Sequence, residues 1–258
     1  ITPAHSRFTV GRMIPTRKTE DLLLGSWELL QQIGAVPRRF IWDNEPGIGR
    51  GPRRAEGVAS FMGTLAAKLV LLPPRDPESK GIVERRNGWF ETSFMPGRSF
   101  ASPGDFNEQF TDWLQIANAR TVRTLKASPE QRINADRAAM LPLPPVPLHL
   151  GWRNRVRLGR DYYVRVDTND YSVDPRAVGR LVDVAADLDR VRVRADGRLV
   201  AEHTRVWARG MTITDPAHLE TAKVLREQFR APRSVAAGDD LVRDLADYDR
   251  AFGIGGGF

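Results

Sequence analysis

Residues 39–48 read RFIWDNEPGI, and residues 69–94 read LVLLPPRDPESKGIVERRNGWFETSF. The first is a short apolar strand that delivers Asp43 at its end. The second begins as a strand over Leu69–Leu72, is stopped by Pro73-Pro74, and continues as a helix from Ser79 with Glu84 one turn in. Glu84 lies 41 positions after Asp43. A strand-end aspartate and a helical glutamate brought together offer hard oxygen ligands. Mg²⁺ is usually held by one or two such carboxylates plus substrate phosphates. Two ions about 4 Å apart can stabilise both the attacking and the leaving oxygen of an in-line phosphodiester displacement.

Spacing alone does not choose the glutamate, since Glu78 lies 35 and Glu91 lies 48 positions after Asp43. Context favours Glu84. Glu78 sits at a helix start, where the helix dipole accounts for an acid. Glu84 is flanked by Lys80, Arg85 and Arg86, cations that can hold DNA phosphates against a metal, with Asn87 beside them. Each carboxylate also has a plain structural explanation. Asp43-Asn44 is a turn-forming pair, and Glu84 lies four residues from Lys80 as in a surface ion pair. The loop after Asp43, NEPGIGRGPRRAE, adds Arg50, Arg53 and Arg54 next to the aspartate, where a loop can touch phosphates or simply be solvated. Taken jointly, these features favour a catalytic carboxylate pair. Gly47-Ile48-Gly49 lacks the helix-opening Gly or Lys-Ser/Thr of a nucleotide cradle.

Upstream, Ser6–Ile14 alternates as a strand ended by Pro15, and Thr16 or Thr19 can cap the next helix. Leu22, Leu23, Leu24, Trp27, Leu29, Leu30 and Ile33 recur at helical spacing, with Gly34 placed to end that helix. Downstream, Val58–Leu69 reads as helix, and Ser102-Pro103 opens another that carries Phe106, Phe110, Trp113 and Leu114. This is an α/β order. Residues 128–151 read as a stiff proline-rich linker. From Trp152 to Ala208 the period becomes two, and Asp196-Gly197 marks a hairpin within what reads as a small β-barrel. Helices are expected over Ala217–Phe229 and Asp239–Phe252, before a glycine-rich tail.

The 258 residues carry a net charge of +7 and a pI near 10.2, a balance that points to a polyanion, most simply nucleic acid. Arg153, Arg155 and Arg157 on the barrel's first strand can track a DNA backbone, or form a solvated strand face. Cysteine is absent, which excludes disulfides and thiol chemistry and suits a reducing cytoplasm. No apolar run approaches the roughly 18 residues of a membrane span. The four histidines are scattered without metal-ligand spacing and read as structural. The chain begins with Ile1 inside an apparent strand, so an upstream part is expected to be missing.

WDNE and PESKGIVERRNGWFE resemble the second and third carboxylate motifs of the DDE transposase/integrase superfamily. The supporting stretches SRFTVGRMIPTRKTEDLL, VPRRFIWDNE, FETSFMPGR, RLGRDYYVRVDTNDYSVDP and DLVRDLADYDRAFG make the whole chain similar to IstA-type transposases of the insertion-sequence-twenty-one group. The resemblance implies an RNase H-like integrase catalytic core over residues 1–127, incomplete at its N-terminus. After the linker it implies a β-barrel over 152–210 and C-terminal helices over 211–258. It also implies 3′-end cleavage and strand transfer at the element's terminal inverted repeats, dependent on a two-metal site of Mg²⁺ or Mn²⁺. Asp43 and Glu84 match two of the three metal ligands. Ile1–His5 holds no carboxylate to supply the first, and Asp21 falls in a helix turn, so the chain alone is expected to be weak or inactive. The implied partners are terminal and target DNA, further copies of the chain, and an AAA+ ATPase helper of the IstB type. The implied location is the bacterial cytoplasm, at the nucleoid. Rival readings are a non-catalytic DNA-binding or assembly fragment and an RNase H-like nuclease.

Overall fold

A computed structural model describes residues 1–43, 45–50, 53–72, 88–146, 148–230 and Phe252. In chain order the elements are α1 (Thr19–Ile33), β1 (Arg39–Trp42), β2 (Gly49–Arg50), β3 (Arg53–Arg54), α2 (Val58–Thr64) and β4 (Lys68–Leu71). Then come α3, whose described part is residues 88–93, α4 (Pro103–Ala119) and α5 (Pro129–Ala139). The β-rich part holds β5 (Trp152–Arg157), β6 (Tyr163–Val166), β7 (Asn169–Ser172), β8 (Leu181–Ala186), β9 (Arg190–Ala195), β10 (Arg198–Thr204) and β11 (Thr212–Ile213), before α6 (Pro216–Arg230). Residues Ile1–Thr214 form one unit and Asp215–Phe258 a second.

In the first unit β1 and β4 pair in parallel, with Phe40 opposite Leu69. Both side chains are buried on one face of this small sheet, with Leu30, Val36, Phe61, Met62 and Leu65 from α1, α2 and their ends. Each fully buried apolar side chain of this size contributes about 1.5–3 kcal/mol. Gly34 ends α1 in the left-handed region at φ 79°, as its position in the sequence predicts. Neither expected cap of α1 serves: Lys18 holds that position without a side-chain bond, while the Thr16 hydroxyl donates to Asp21 at 2.6 Å.

The strand expected over Ser6–Ile14 is not formed. A strand needs a neighbouring backbone; among the described residues Val10 exchanges paired bonds with Ile1 at 2.7 and 3.1 Å, while the Arg7 N–H only closes a turn on the Pro3 carbonyl at 3.0 Å. Side-chain amides of α4 do the rest. Asn118 accepts from the Thr9 N–H at 2.9 Å and donates to the Thr9 carbonyl at 2.8 Å. Asn107 does the same for Met13 at 2.7 and 3.1 Å. Three helical turns separate the two asparagines, so both lie on one face of α4 and act together as a substitute for a neighbouring strand. α4 itself starts on Ser102, whose hydroxyl accepts from the Asp105 N–H, as expected.

Within the stretch that reads as a linker, residues 129–139 are helix α5. Ser128 accepts from the Gln131 N–H, and the Gln131 side chain accepts in return from the Ser128 N–H, closing a capping box. Beyond it Leu141 bridges to Val36, and Leu143, Leu148 and Leu150 pack on the β1–β4 core. The proline-rich segment is therefore strapped down rather than spanning open space. Ser128→Ala is expected to lower stability by about 1 kcal/mol in urea unfolding, the usual cost of losing such a cap.

Two sheets enclose the second core. One is antiparallel in the order β10-β9-β8-β5, and the other has the order β11-β7-β6 with β11 parallel to β7. Val164, Val166, Tyr171, Val182, Val184, Val191 and Val193 fill the space between them. The β9–β10 turn has Asp196 at φ 48° and Gly197 at φ 78°, the two positive values that an Asp-Gly hairpin turn supplies. β11 carries this part to Ile213, past the residue-210 boundary expected from the sequence. His203 is buried and held to the Ser172 carbonyl at 2.6 Å, a structural role. In the second unit, Asp215 accepts from the Ala217 N–H at 2.8 Å at the start of α6. The helix expected over Asp239–Phe252 lies outside the described residues, apart from Phe252. No helix among the described residues is long and apolar enough to cross a membrane.

Candidate functional site

Asp43 stands immediately after β1, exposed, at the end where the Leu72 N–H donates to the Trp42 carbonyl and closes the β1–β4 ladder. Its own carbonyl accepts from the Glu45 N–H at 2.7 Å, which turns the chain away at once. Glu45 in turn accepts from Ile48 and Gly49 and pairs with Arg17. The described residues of this basic loop are therefore held by hydrogen bonds and burial. Ile48 is fully buried, and Gly49–Arg50 and Arg53–Arg54 pair as a small antiparallel hairpin. Gly49 is required there, because a Cβ would lie 2.5 Å from the Arg53 carbonyl. Arg53 and Arg54 are exposed in the loop that begins beside Asp43.

The other edge of β1 faces away from β4. Lys68 and Leu72 donate to the carbonyls of Arg38 and Trp42, so by the alternation of a parallel ladder the polar groups of Arg39 and Ile41 turn away from β4. No described strand pairs with that edge. It faces a groove of about 730 Å³ floored by Leu22, Gly25 and Leu29 of α1, with Asp43 on its rim.

Glu84, Lys80, Arg85, Arg86, Asn87 and Asn44 lie outside the described residues, as does the side chain of Arg50. The chain is described again from Gly88, four positions after Glu84. Trp89 and Phe90 of α3 and the fully buried Phe94 join Phe100, Phe106, Phe110 and Trp113 in one aromatic cluster. Trp89 and Trp113 have ring centroids 4.5 Å apart, and Phe90 meets Phe110 edge-on at 5.0 Å. These rings fix α3 to α4, and α4 grips residues 9–13. Glu91 is exposed on α3. Among the described residues no group of three His, Cys, Asp or Glu gathers as a metal set.

A cluster without a sequence signal joins the β-rich part to α1. Arg205 is 2% exposed and bonds Asp21, itself 1% exposed, at 2.7 and 3.0 Å. It also bonds Asp167 at 2.8 Å and the Asp187 carbonyl at 2.7 Å. Lys18 reaches Asp167 at 2.7 Å. Burial opposes the charge on Arg205, but the bonds to Asp21 and Asp167 outweigh it and raise its pKa. Asp167 is pushed up by burial yet ends below the usual range through Lys18 and Arg205. Next to this cluster Arg12 bonds Asp189 at 2.6 Å and pairs with Glu28, whose burial raises its pKa against the pull of Arg12. Leu188, fully buried between the two aspartates of the β8–β9 turn, packs near Gly25. Asp21 is thus committed to Arg205.

Arg153, Arg155 and Arg157 are all exposed on β5, on the opposite face from Trp152 and Val156, which contact the core.

Residues 143–215 match the family model described as "Mu transposase, C-terminal domain". The chain is 31% identical over 148 residues to the transposase for insertion sequence element IS21 of Pseudomonas aeruginosa, covering 56% of this chain and 38% of that protein. It is 26% identical to the putative transposase y4bL/y4kJ/y4tB of Sinorhizobium fredii, covering 86% of this chain and 43% of that protein. It is 28% identical to the putative transposase Rv3428c of Mycobacterium tuberculosis, covering 66% and 43%. The chain thus spans less than half the length of these relatives.

Proposed function

We propose that this homologue of the IS21-family, IstA-type transposases provides part of an RNase H-like catalytic core and the barrel of a DDE enzyme that cleaves and joins the 3′ ends of an insertion element. The observation that carries the reading is Asp43 at the end of a parallel strand, on the rim of an open groove, in a chain homologous to transposases. Asp43 and Glu84 would hold Mg²⁺ or Mn²⁺; exposed carboxylates are suitable donors for these hard cations. When bound, the metal lowers the pKa of water or of a 3′ hydroxyl and neutralises charge at the phosphate. The residues of this chain would do the rest. Asp43 would present its carboxylate oxygens to the cation from the end of β1. Arg53 and Arg54, with Arg50, Lys80, Arg85 and Arg86, would neutralise the flanking phosphates, and Asn44 and Asn87 would hydrogen-bond to them.

The third carboxylate would arrive on a strand laid along the edge of β1 that faces away from β4. The polar groups of Arg39 and Ile41 support this, since they face the groove without a strand partner among the described residues. Terminal-repeat and target DNA, further copies of the chain and an IstB-type ATPase would be the partners, at the bacterial nucleoid.

The test is to read the source DNA upstream of the Ile1 codon, express the extended protein, and assay 3′-end cleavage and strand transfer with Mg²⁺ on terminal-repeat DNA. An in-frame aspartate on an apolar strand together with activity on terminal repeats is expected. A stop codon directly upstream, or metal-dependent cleavage without strand transfer or preference for the repeats, would sink the reading.

A further inference from the structure

We propose that the outward face of α4, continued by the turn that follows it, is the surface on which two copies of this chain pair antiparallel about a two-fold axis. The proposal rests on the reading above only for the presence of further copies, and it gives their association a surface.

The helical period sets the face. Trp113, Leu114 and Asn118 are buried, and Asn107 and Asn118 are engaged with Met13 and Thr9. On the opposite side Glu108, Thr111, Asp112, Gln115, Ile116 and Ala119 recur at spacings of three and four, and all are exposed. Ile116, in the middle of this row, is 56% exposed. One exposed isoleucine is ordinary by itself. The charges on either side of it are what single it out.

Acids precede Ile116 and bases follow it: Glu108 and Asp112, then Arg120 and Arg123. The helix dipole accounts for Asp105 in the first turn, but it fades within that turn and leaves Glu108 and Asp112 unexplained. Among the described residues none of these four charges forms an ion pair. Asp112 and Arg120 are about 12 Å apart along the axis, too far to meet within one copy. Glu108 and Asp112, four positions apart on the helix, repel each other. An antiparallel second copy removes both problems. With the axis between Gln115 and Ile116, Glu108 faces the turn carrying Arg123 of the second copy. Asp112 lies beside Arg120 of the second copy, and the two Ile116 side chains meet at the centre. Symmetry repeats each contact, as an interface of one patch with itself requires. Parallel pairing would set acid against acid.

The two ends also match in shape. The Val122 N–H donates to the Ala127 carbonyl at 3.0 Å, and the N–H groups of Leu125 and Lys126 both donate to the Val122 carbonyl at 2.9 Å. Residues 122–127 are thus a closed turn, fixed from outside by Arg7, which donates to the Thr124 hydroxyl at 3.0 Å. The turn presents Arg123 and Lys126 to solvent. At the other end Glu108, Thr111 and Asp112 line a groove of about 490 Å³ with Gly11 and Gln32. Arg12 and Asp189 in that groove bond each other, which leaves the carboxylates of Glu108 and Asp112 for an incoming cation. A preformed turn loses little freedom on docking. One helix face and two turns make a small interface, so the dimer is expected to be weak, with Kd on the order of 10 μM, and sensitive to salt.

The experiment is sedimentation equilibrium of the full chain, without DNA or metal, from about 1 to about 300 μM at low and high salt. A concentration-dependent dimer that salt weakens is expected. One variant carries Glu108→Arg and Asp112→Arg, and another carries Arg120→Glu and Arg123→Glu. Each is expected to lose at least about tenfold in self-association. Mixed in equal amounts they should form a heterodimer, because bases then meet acids at both ends. The chain has no cysteine of its own. Ile116→Cys should therefore give a covalent dimer with a short bismaleimide, while Arg198→Cys on β10 should not. A wild type that stays monomeric throughout would overturn the pairing and leave the face to a different partner. A dimer that neither charge reversal weakens, or a mixture without heterodimer, would overturn it as well. Should the charge variants lack the helical circular dichroism of wild type, crosslinking decides: no covalent dimer from Ile116→Cys, or an equal yield from Arg198→Cys, sinks the proposal. With DNA and metal absent, each of these results is independent of the cleavage assay that judges the reading above.

Discussion

Arg205→Met is expected to cost about 3 to 5 kcal/mol in urea unfolding, the usual penalty for leaving a buried charge without its partner. The side chain of Asp21 is 1% exposed and would keep only the Thr16 hydroxyl at 2.6 Å. Asp167 would keep Lys18 and is 22% exposed, so it suffers less. Removing both charges separates this cost from the worth of the pair. Asp21→Leu combined with Arg205→Met is expected to recover most of the loss, because a buried ion pair is often no better than apolar residues of similar volume. A loss under about 1 kcal/mol for Arg205→Met would mean that water reaches the cluster, leaving Leu188 to hold the β8–β9 turn against α1. The pH dependence comes from Asp167, whose folded pKa lies below its usual 3.8. A depressed carboxylate contributes stability above its unfolded pKa and loses it as pH falls through the folded one. The advantage of wild type over Arg205→Met should therefore be full near neutrality and shrink below about pH 3.8.

Asp43→Asn is expected to lower strand transfer by the upstream-extended protein about a thousandfold, since losing metal-centred charge stabilisation costs several kcal/mol in the transition state. The exposed position of Asp43 predicts an unfolding midpoint close to wild type. Affinity for random-sequence duplex should stay the same or rise slightly, because one negative charge is removed from a basic surface. Glu84→Gln should match the loss, and combining the two should add little, as residues acting in one unit are far from additive. Transfer within about tenfold of wild type in Asp43→Asn would remove Asp43 from the metal set and favour a non-catalytic DNA-binding fragment.

The two predictions draw on different kinds of information. The place of Asp43 is legible in the sequence because the signal is local: an apolar run ends and a turn-forming pair begins at once. The same locality makes the strands of the β-rich part, the Asp196-Gly197 hairpin, the Ser102 cap and the Gly34 terminus readable, since each is decided by a few adjacent residues. The Ser128-to-Gln131 capping box is equally local, but the prolines after it dominate the pattern and hide α5 within an apparent linker.

Other features require the third dimension. Residues 6–14 alternate like a strand, but alternation describes side chains and says nothing of whether a neighbour offers backbone partners. Asn107 and Asn118 fill that place from about a hundred positions away. Arg205 and Asp21 lie 184 positions apart, and each alone reads as an ordinary surface charge. The arginines of β5 and β9 come to lie in one sheet only because β8 pairs with both strands. The sequence thus determined the helices and strands whose signals are local, and where a carboxylate would stand, because propensity, capping and turn chemistry act over a few residues. Tertiary structure alone decided which charges are buried, which are balanced and which are left facing solvent, because pairing over long separations depends on how the elements pack.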